Sequence, residues 1–107
     1  MAGSYLALLL LGVPCLADVS FQTAVQPFVA KNCFGCHNDK IQSGGLNLKS
    51  ATDIAASREQ WEHVVEKLKA GEMPPKGMPK PAAAQVASVT KWLEDEFARE
   101  DAAMKPD

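Results

Sequence analysis

Five consecutive residues, Cys33-Phe34-Gly35-Cys36-His37, hold the densest chemistry in the chain. Two thiols three positions apart, with an imidazole directly after the second, form the Cys-x-x-Cys-His pattern of covalent haem c attachment. In one helical turn Cys33 and His37 lie four apart on the same face, with Cys36 beside the imidazole. Both sulfurs can then reach the two vinyl groups on one porphyrin edge, and His37 presents its ring to the iron as proximal ligand. Gly35 leaves room for the macrocycle close to the backbone. Two other uses of paired cysteines compete with this one. A structural zinc site needs four ligands, and beyond the motif the chain offers His63 and Cys15 without a second cysteine pair. A thioredoxin-like redox pair follows a strand in a βαβ unit, whereas the residues before Cys33 read as helix.

The second chemical feature is the stretch Gly71-Glu72-Met73-Pro74-Pro75-Lys76-Gly77-Met78-Pro79-Lys80-Pro81, which four prolines and two glycines exclude from a helix or a central strand. It is a stiffened loop carrying two methionines, each followed by proline. A thioether is a soft, neutral ligand suited to ferrous iron, and Met/His ligation raises the reduction potential relative to two histidines. Met73 follows a helix end and precedes a rigid Pro-Pro, so it is favoured as the distal ligand. Met78, in the looser glycine-containing part, is the alternative. His63 as second ligand would give bis-histidine coordination; it falls beside an apolar helical stripe and reads as a surface residue.

Helices must position these groups. Ser20 can cap a helix whose apolar face is Phe21, Ala24, Val25, Phe28 and Val29, with Pro27 either kinking it or marking its true first turn. Residues 38–49 are polar and contain Ser43-Gly44-Gly45, a loop in which Leu46 and Leu48 turn inward. A carbonyl near residues 44–46 is the candidate acceptor for the Nδ1 proton of His37. Ser50-Ala51-Thr52-Asp53 can open a short helix to about Ala56, and Ser57 with Gln60 forms a possible capping box. Trp61, Val64, Val65 and Leu68 make an i, i+3, i+4, i+7 stripe ended by Gly71. Trp61 is a core residue that could also offer its indole N–H to a haem propionate. A last helix spans Ala82 to about Arg99, with Val86, Val89, Leu93 and Phe97 on one face and Trp92 flanking it. It is expected to dock near Phe28 and Val29, and residues 101–107 are read as a frayed tail. The pattern is all-α, three to five helices around one covalently bound haem.

The chain has 107 residues, which allows one domain. Residues 1–17 are apolar, leucine-rich and without a charged side chain. They are too short to span a bilayer and resemble a signal peptide cut after Ala17, leaving residues 18–107 as the monohaem domain, exported or periplasmic. Lipidation at Cys15 is a weaker alternative, because Pro14 and Gly12 make a poor signal. The mature part would be about ninety residues, a size at which a core needs a staple, and a covalent macrocycle supplies one. The net charge of −2 and the absence of a basic excess argue against nucleic acid. No carboxylate pair, Ser/His/Asp set or phosphate loop suggests an enzyme. Lys31, Lys40, Lys49, Lys76 and Lys80 fall in segments that should frame the haem edge, a possible docking face for redox partner proteins.

With Cys33, Cys36 and His37, Gly44-Gly45-Leu46, Trp61, Gly71-Glu72-Met73-Pro74-Pro75 and Trp92-Leu93 in this order, the chain resembles the class I c-type cytochromes, and more narrowly the planctomycete-type cytochrome c domain. The resemblance implies a small cytochrome c fold, His37 proximal and Met73 distal, carrying single electrons. Domains of that type are often joined to much larger chains, and the roles of those larger members are not carried over. The alternative function is a haem-based peroxidase or gas sensor with a labile distal ligand.

Overall fold

The computed structural model describes residues 20–104. The expected leader over residues 1–17, with Cys15 and the cleavage point at Ala17, lies outside the described residues, as do residues 105–107.

Four α-helices make up the described part: α1 Phe21–Ala24, α2 Gln26–Asn32, α3 Arg58–Lys69 and α4 Ala83–Met104, with a 3₁₀ turn at Ser43–Gly45. Among the described residues there is no strand, only an isolated antiparallel bridge between His37 and Gln42. Pro27 explains the break between α1 and α2. It has no N–H to offer Thr23 four residues back, so the chain kinks at Val25, which has φ −117°, and restarts with proline in the first turn of α2. Ser20 occupies the N-cap position of α1 but makes no side-chain capping bond; its carbonyl accepts from Thr23 and Ala24 instead.

The core is assembled from the expected stripes. Trp61, Val64, Val65 and Leu68 of α3 are all buried, as are Val89, Leu93 and Phe97 of α4 and Phe28 and Val29 of α2. Leu48, Ala51 and Ile54 join them from the long connection, and Leu46 packs against the same cluster. Phe21 meets the Trp61 ring edge-on at 5.4 Å and the Trp92 ring at 6.2 Å.

Several local expectations need correction. Residues 50–56 form a turn and not a helix: Asp53 accepts from the amides of Ala56 (3.2 Å, through Oδ1) and Ser57 (3.0 Å, through its carbonyl). One closed turn before a new helix is all the three residues between Asp53 and Ser57 can make. Ser57 is the N-cap residue of α3 but forms no capping box. The main partner of α4 is α3; it also meets α1, where Phe21 lies against Trp92, and its Val89 and Leu93 share the core cluster with Phe28 and Val29. Helix α4 also runs on to Met104, so residues 101–104 are not frayed. The reason is charge pairing across helices. Arg58 of α3 donates to both carboxylate oxygens of Asp101, at 2.6 and 3.1 Å, and lies 3.6 Å from Glu100. Its guanidinium stacks 4.9 Å above the Phe97 ring. Lys69–Glu94, Lys91–Asp95 and Arg99–Glu96 pairs neutralise most of the remaining acids that would oppose the helix dipole.

Candidate haem site

Helix α2 ends at Asn32, and the motif follows as one further turn. The Cys36 and His37 amides both donate to Cys33 O, at 3.2 and 3.0 Å, while Cys33 N–H reaches back to Val29 O at 2.8 Å. The i to i+4 bond between Cys33 and His37 is the helical turn that the spacing requires. Cys33 and Cys36 are free thiols, Cys33 half-buried against the core and Cys36 exposed. Burial pushes the Cys33 thiol up to about 11, so it stays uncharged at neutral pH.

After His37 the chain folds back on the motif. Gly44 and Gly45, at φ 65° and 77°, take left-handed conformations that a side chain would resist, and they reverse the loop. The reversal brings Leu46 O to 3.3 Å from His37 Nδ1. A carbonyl only accepts, so Nδ1 carries the proton and Nε2 keeps its lone pair, the form that ligates iron. The loop is sewn in place by backbone bonds from Ser43 N–H to Cys36 O (3.0 Å) and from Leu48 N–H to His37 O (3.1 Å). Two asparagines outside the haem motif complete it. Asn38 Oδ1 accepts from the amides of Lys40 and Ile41, and its Nδ2 donates to Phe34 O at 2.5 Å. Asn47 Oδ1 accepts from Lys49 and Ser50, and its Nδ2 donates to Asp39. Asparagine within a polar loop is a turn signal, and it would have flagged both positions.

Trp61 does not offer its indole N–H outward. It donates to Ala51 O at 2.9 Å inside the core, which ties the connection to α3 and leaves no donor there for a propionate. His63 is exposed on α3. Among the described residues no three His, Cys, Asp or Glu side chains cluster as metal ligands, so the zinc reading finds no site there.

The methionine loop begins at a full Schellman cap. Gly71 is left-handed at φ 73°, its amide donates to Leu68 O (3.2 Å), and Glu72 N–H donates to Lys67 O (3.0 Å). Met73 is 39% exposed and Met78 53%, while Pro74, preceded by a cis peptide bond, is buried. Lys80 reaches back across this loop to Gly71 O at 3.2 Å and to Pro74 O. Two clefts lie elsewhere. One of about 940 Å³ opens between Phe21, Thr52 and Trp92; among the acids that line it, Asp95, Glu96 and Glu100 are in ion pairs and Asp53 accepts from the Ala56 amide. The other, about 320 Å³, separates α2 from the start of α4 at Phe28 and Val89.

This geometry fits a haem by its donor set: two unpaired thiols and one imidazole with a free Nε2, on one turn beside the core. A family comparison matches residues 22–93 to the family described as cytochrome C oxidase, cbb3-type, subunit III. The chain belongs to this cytochrome c family. The match spans the motif, α3, the methionine loop and α4 as far as Leu93. No curated protein and no solved structure matches the chain. As a cytochrome c domain it is an all-α haem-binding electron-transfer protein, with haem c as its cofactor and redox proteins as its partners. No helix among the described residues is long and apolar enough to cross a membrane.

Proposed function

We propose that this cytochrome is an exported, monohaem one-electron carrier in which Cys33 and Cys36 hold the haem as thioethers, His37 is the proximal iron ligand and Met73 the distal one. When bound, the haem supplies a one-electron ferric/ferrous couple. The observation that carries the reading is the Nδ1 contact of His37 with Leu46 O, which orients the ring and leaves Nε2 for the metal. Met73 is favoured over Met78 because it sits directly after a capped helix and next to buried Pro74, and it is the less exposed of the two. A methionine closing the distal side favours electron transfer over chemistry on small molecules. The motif order also supports the narrower planctomycete-type likeness. Exposed Lys31, Lys40, Lys49 and Lys76 would form the partner-docking face, and reduction by an acidic partner should then slow as ionic strength rises.

The test is to produce the full chain in a host that matures haem c, and to record its intact mass and absorption spectrum. The expected mass is that of residues 18–107 plus one haem. In the ferric protein a long-wavelength methionine-to-iron band is expected, which Met73→Ala abolishes and Met78→Ala spares. The reverse outcome assigns Met78. Ready carbon monoxide binding by the unaltered ferrous protein would favour the peroxidase or sensor reading, and a colourless sample with no added mass would end the haem assignment.

A further inference from the structure

We infer that Lys80 is a positioning residue for the distal ligand: its ammonium group closes the methionine loop by donating to two carbonyls that flank Met73. The inference rests on the assignment of Met73 proposed above. Gly71 O, 3.2 Å from Lys80 Nζ, lies two positions before the methionine, and Pro74 O, the second acceptor, one position after it. One cation therefore pins the segment on both sides of the thioether.

The loop needs such a donor because of its composition. The segment after His37 closes on itself through backbone amides, as Ser43 and Leu48 show. Residues 71–81 can do so less, because Pro74, Pro75, Pro79 and Pro81 have no N–H to give; Met78 N–H donates to Pro75 O at 3.0 Å, but that bond lies beyond Met73. With few amides to spare in the segment, a side chain with several donors can bind two of its carbonyls at once. Lys80 stands between Pro79 and Pro81, whose fixed φ angles project it from a stiff stretch of chain. A charged donor makes the stronger class of hydrogen bond. Methionine has three rotatable side-chain bonds, so its sulfur can be placed reproducibly only if the backbone beneath it is held. Lys80 and the other loop lysine, Lys76, are both exposed; what sets Lys80 apart is that its ammonium donates back to the loop at Gly71 O and Pro74 O.

The experiment uses the full, haem-loaded chain and compares Lys80→Met and Lys80→Arg with the unaltered protein. Lys80→Met should shift the balance between held and detached methionine roughly tenfold, about 1.4 kcal/mol. That is read as a weaker methionine-to-iron band, a lower reduction potential, and about tenfold faster hydrogen exchange at the Glu72, Met73 and Met78 amides. Lys80→Arg, which keeps reach and donors, should restore all three. Lys80→Gln, too short for both carbonyls, should behave as Lys80→Met and guards against a folding defect peculiar to one variant. If Lys80→Met and Lys80→Gln leave band and exchange unchanged while Met73→Ala abolishes the band, the positioning role is overturned and the Met73 assignment stands. If Met73→Ala leaves the band intact, the assignment falls, and the role of Lys80 toward it falls too.

Discussion

The two segments that would face the haem from opposite sides are held by different means. Residues 33–48 are fastened by main-chain hydrogen bonds and two asparagines, and they run straight into the core through Leu48, Ala51 and Ile54, which Trp61 ties to α3. Residues 71–81 carry fewer fastenings: buried Pro74, the helix cap at Gly71, the Lys67–Glu72 pair, the Met78 N–H bond to Pro75 O and the reach of Lys80. His37, the proposed proximal ligand, is therefore held by the fold as a whole, and Met73, the proposed distal one, by fastenings that can be removed one at a time. Substitutions should separate the two: changes beneath the proximal segment act on global stability, and changes in the loop act mainly on the distal side.

The largest effect is expected at Trp61. Its ring is fully buried, and its N–H holds Ala51 O. Trp61→Ala should cost roughly 3–5 kcal/mol in denaturant unfolding. Trp61→Phe keeps most of the volume but leaves a buried carbonyl unpaired, and should cost about 1–3 kcal/mol. A Trp61→Ala protein as stable as the unaltered one would break the comparison at its proximal end.

Gly71→Ala probes the other end. Nothing lies within 4 Å of an added Cβ, so the cost is purely that of a left-handed backbone, roughly 1–2 kcal/mol. The loss should be local: faster amide exchange over residues 71–78 and easier carbon monoxide entry, with a smaller fall in the unfolding midpoint than Trp61→Ala causes. An equal fall in both variants would mean that the loop is as integral to the fold as the proximal segment.

The proximal half of this architecture was legible in the sequence, and the distal half less so. Cys-x-x-Cys-His sets a local turn, and the apolar stripes of α3 and α4 follow from helical periodicity, so the elements and the acceptor near Leu46 could be read directly. What was missed depends on long-range pairing. The extension of α4 past Arg99 rests on Arg58, 43 residues before Asp101, a partner no local pattern reveals. The preference of α4 for α3 over α2 is a choice between two apolar faces of similar quality. The turn at residues 50–56 had the composition of a helix start but too few residues before Ser57 to propagate one. Lys80 read as a surface charge because nothing in its own neighbourhood announces that it reaches back to the carbonyls of Gly71 and Pro74.

The smallest effect, and the control for the comparison, is expected at Asp101, which joins α4 to α3 without touching either segment. The hydrogen bond from Arg58 holds the Asp101 carboxyl below the usual carboxylate range against an opposing desolvation, with the Arg58 charge adding to it. A carboxyl depressed in the folded state stabilises the fold above its unfolded value, near 3.8, and the contribution is lost as pH falls through the folded value. Asp101→Asn should therefore lower stability slightly at neutral pH, and its unfolding curve should converge on that of the unaltered protein as the carboxylates titrate. Added salt should narrow the same gap, since the pair is exposed. Throughout, the methionine-to-iron band should stay as strong as in the unaltered protein. A gap that persists in acid would point to helix propensity at position 101 instead of the ion pair, and a weakened band would show that the distal loop feels the far end of α4.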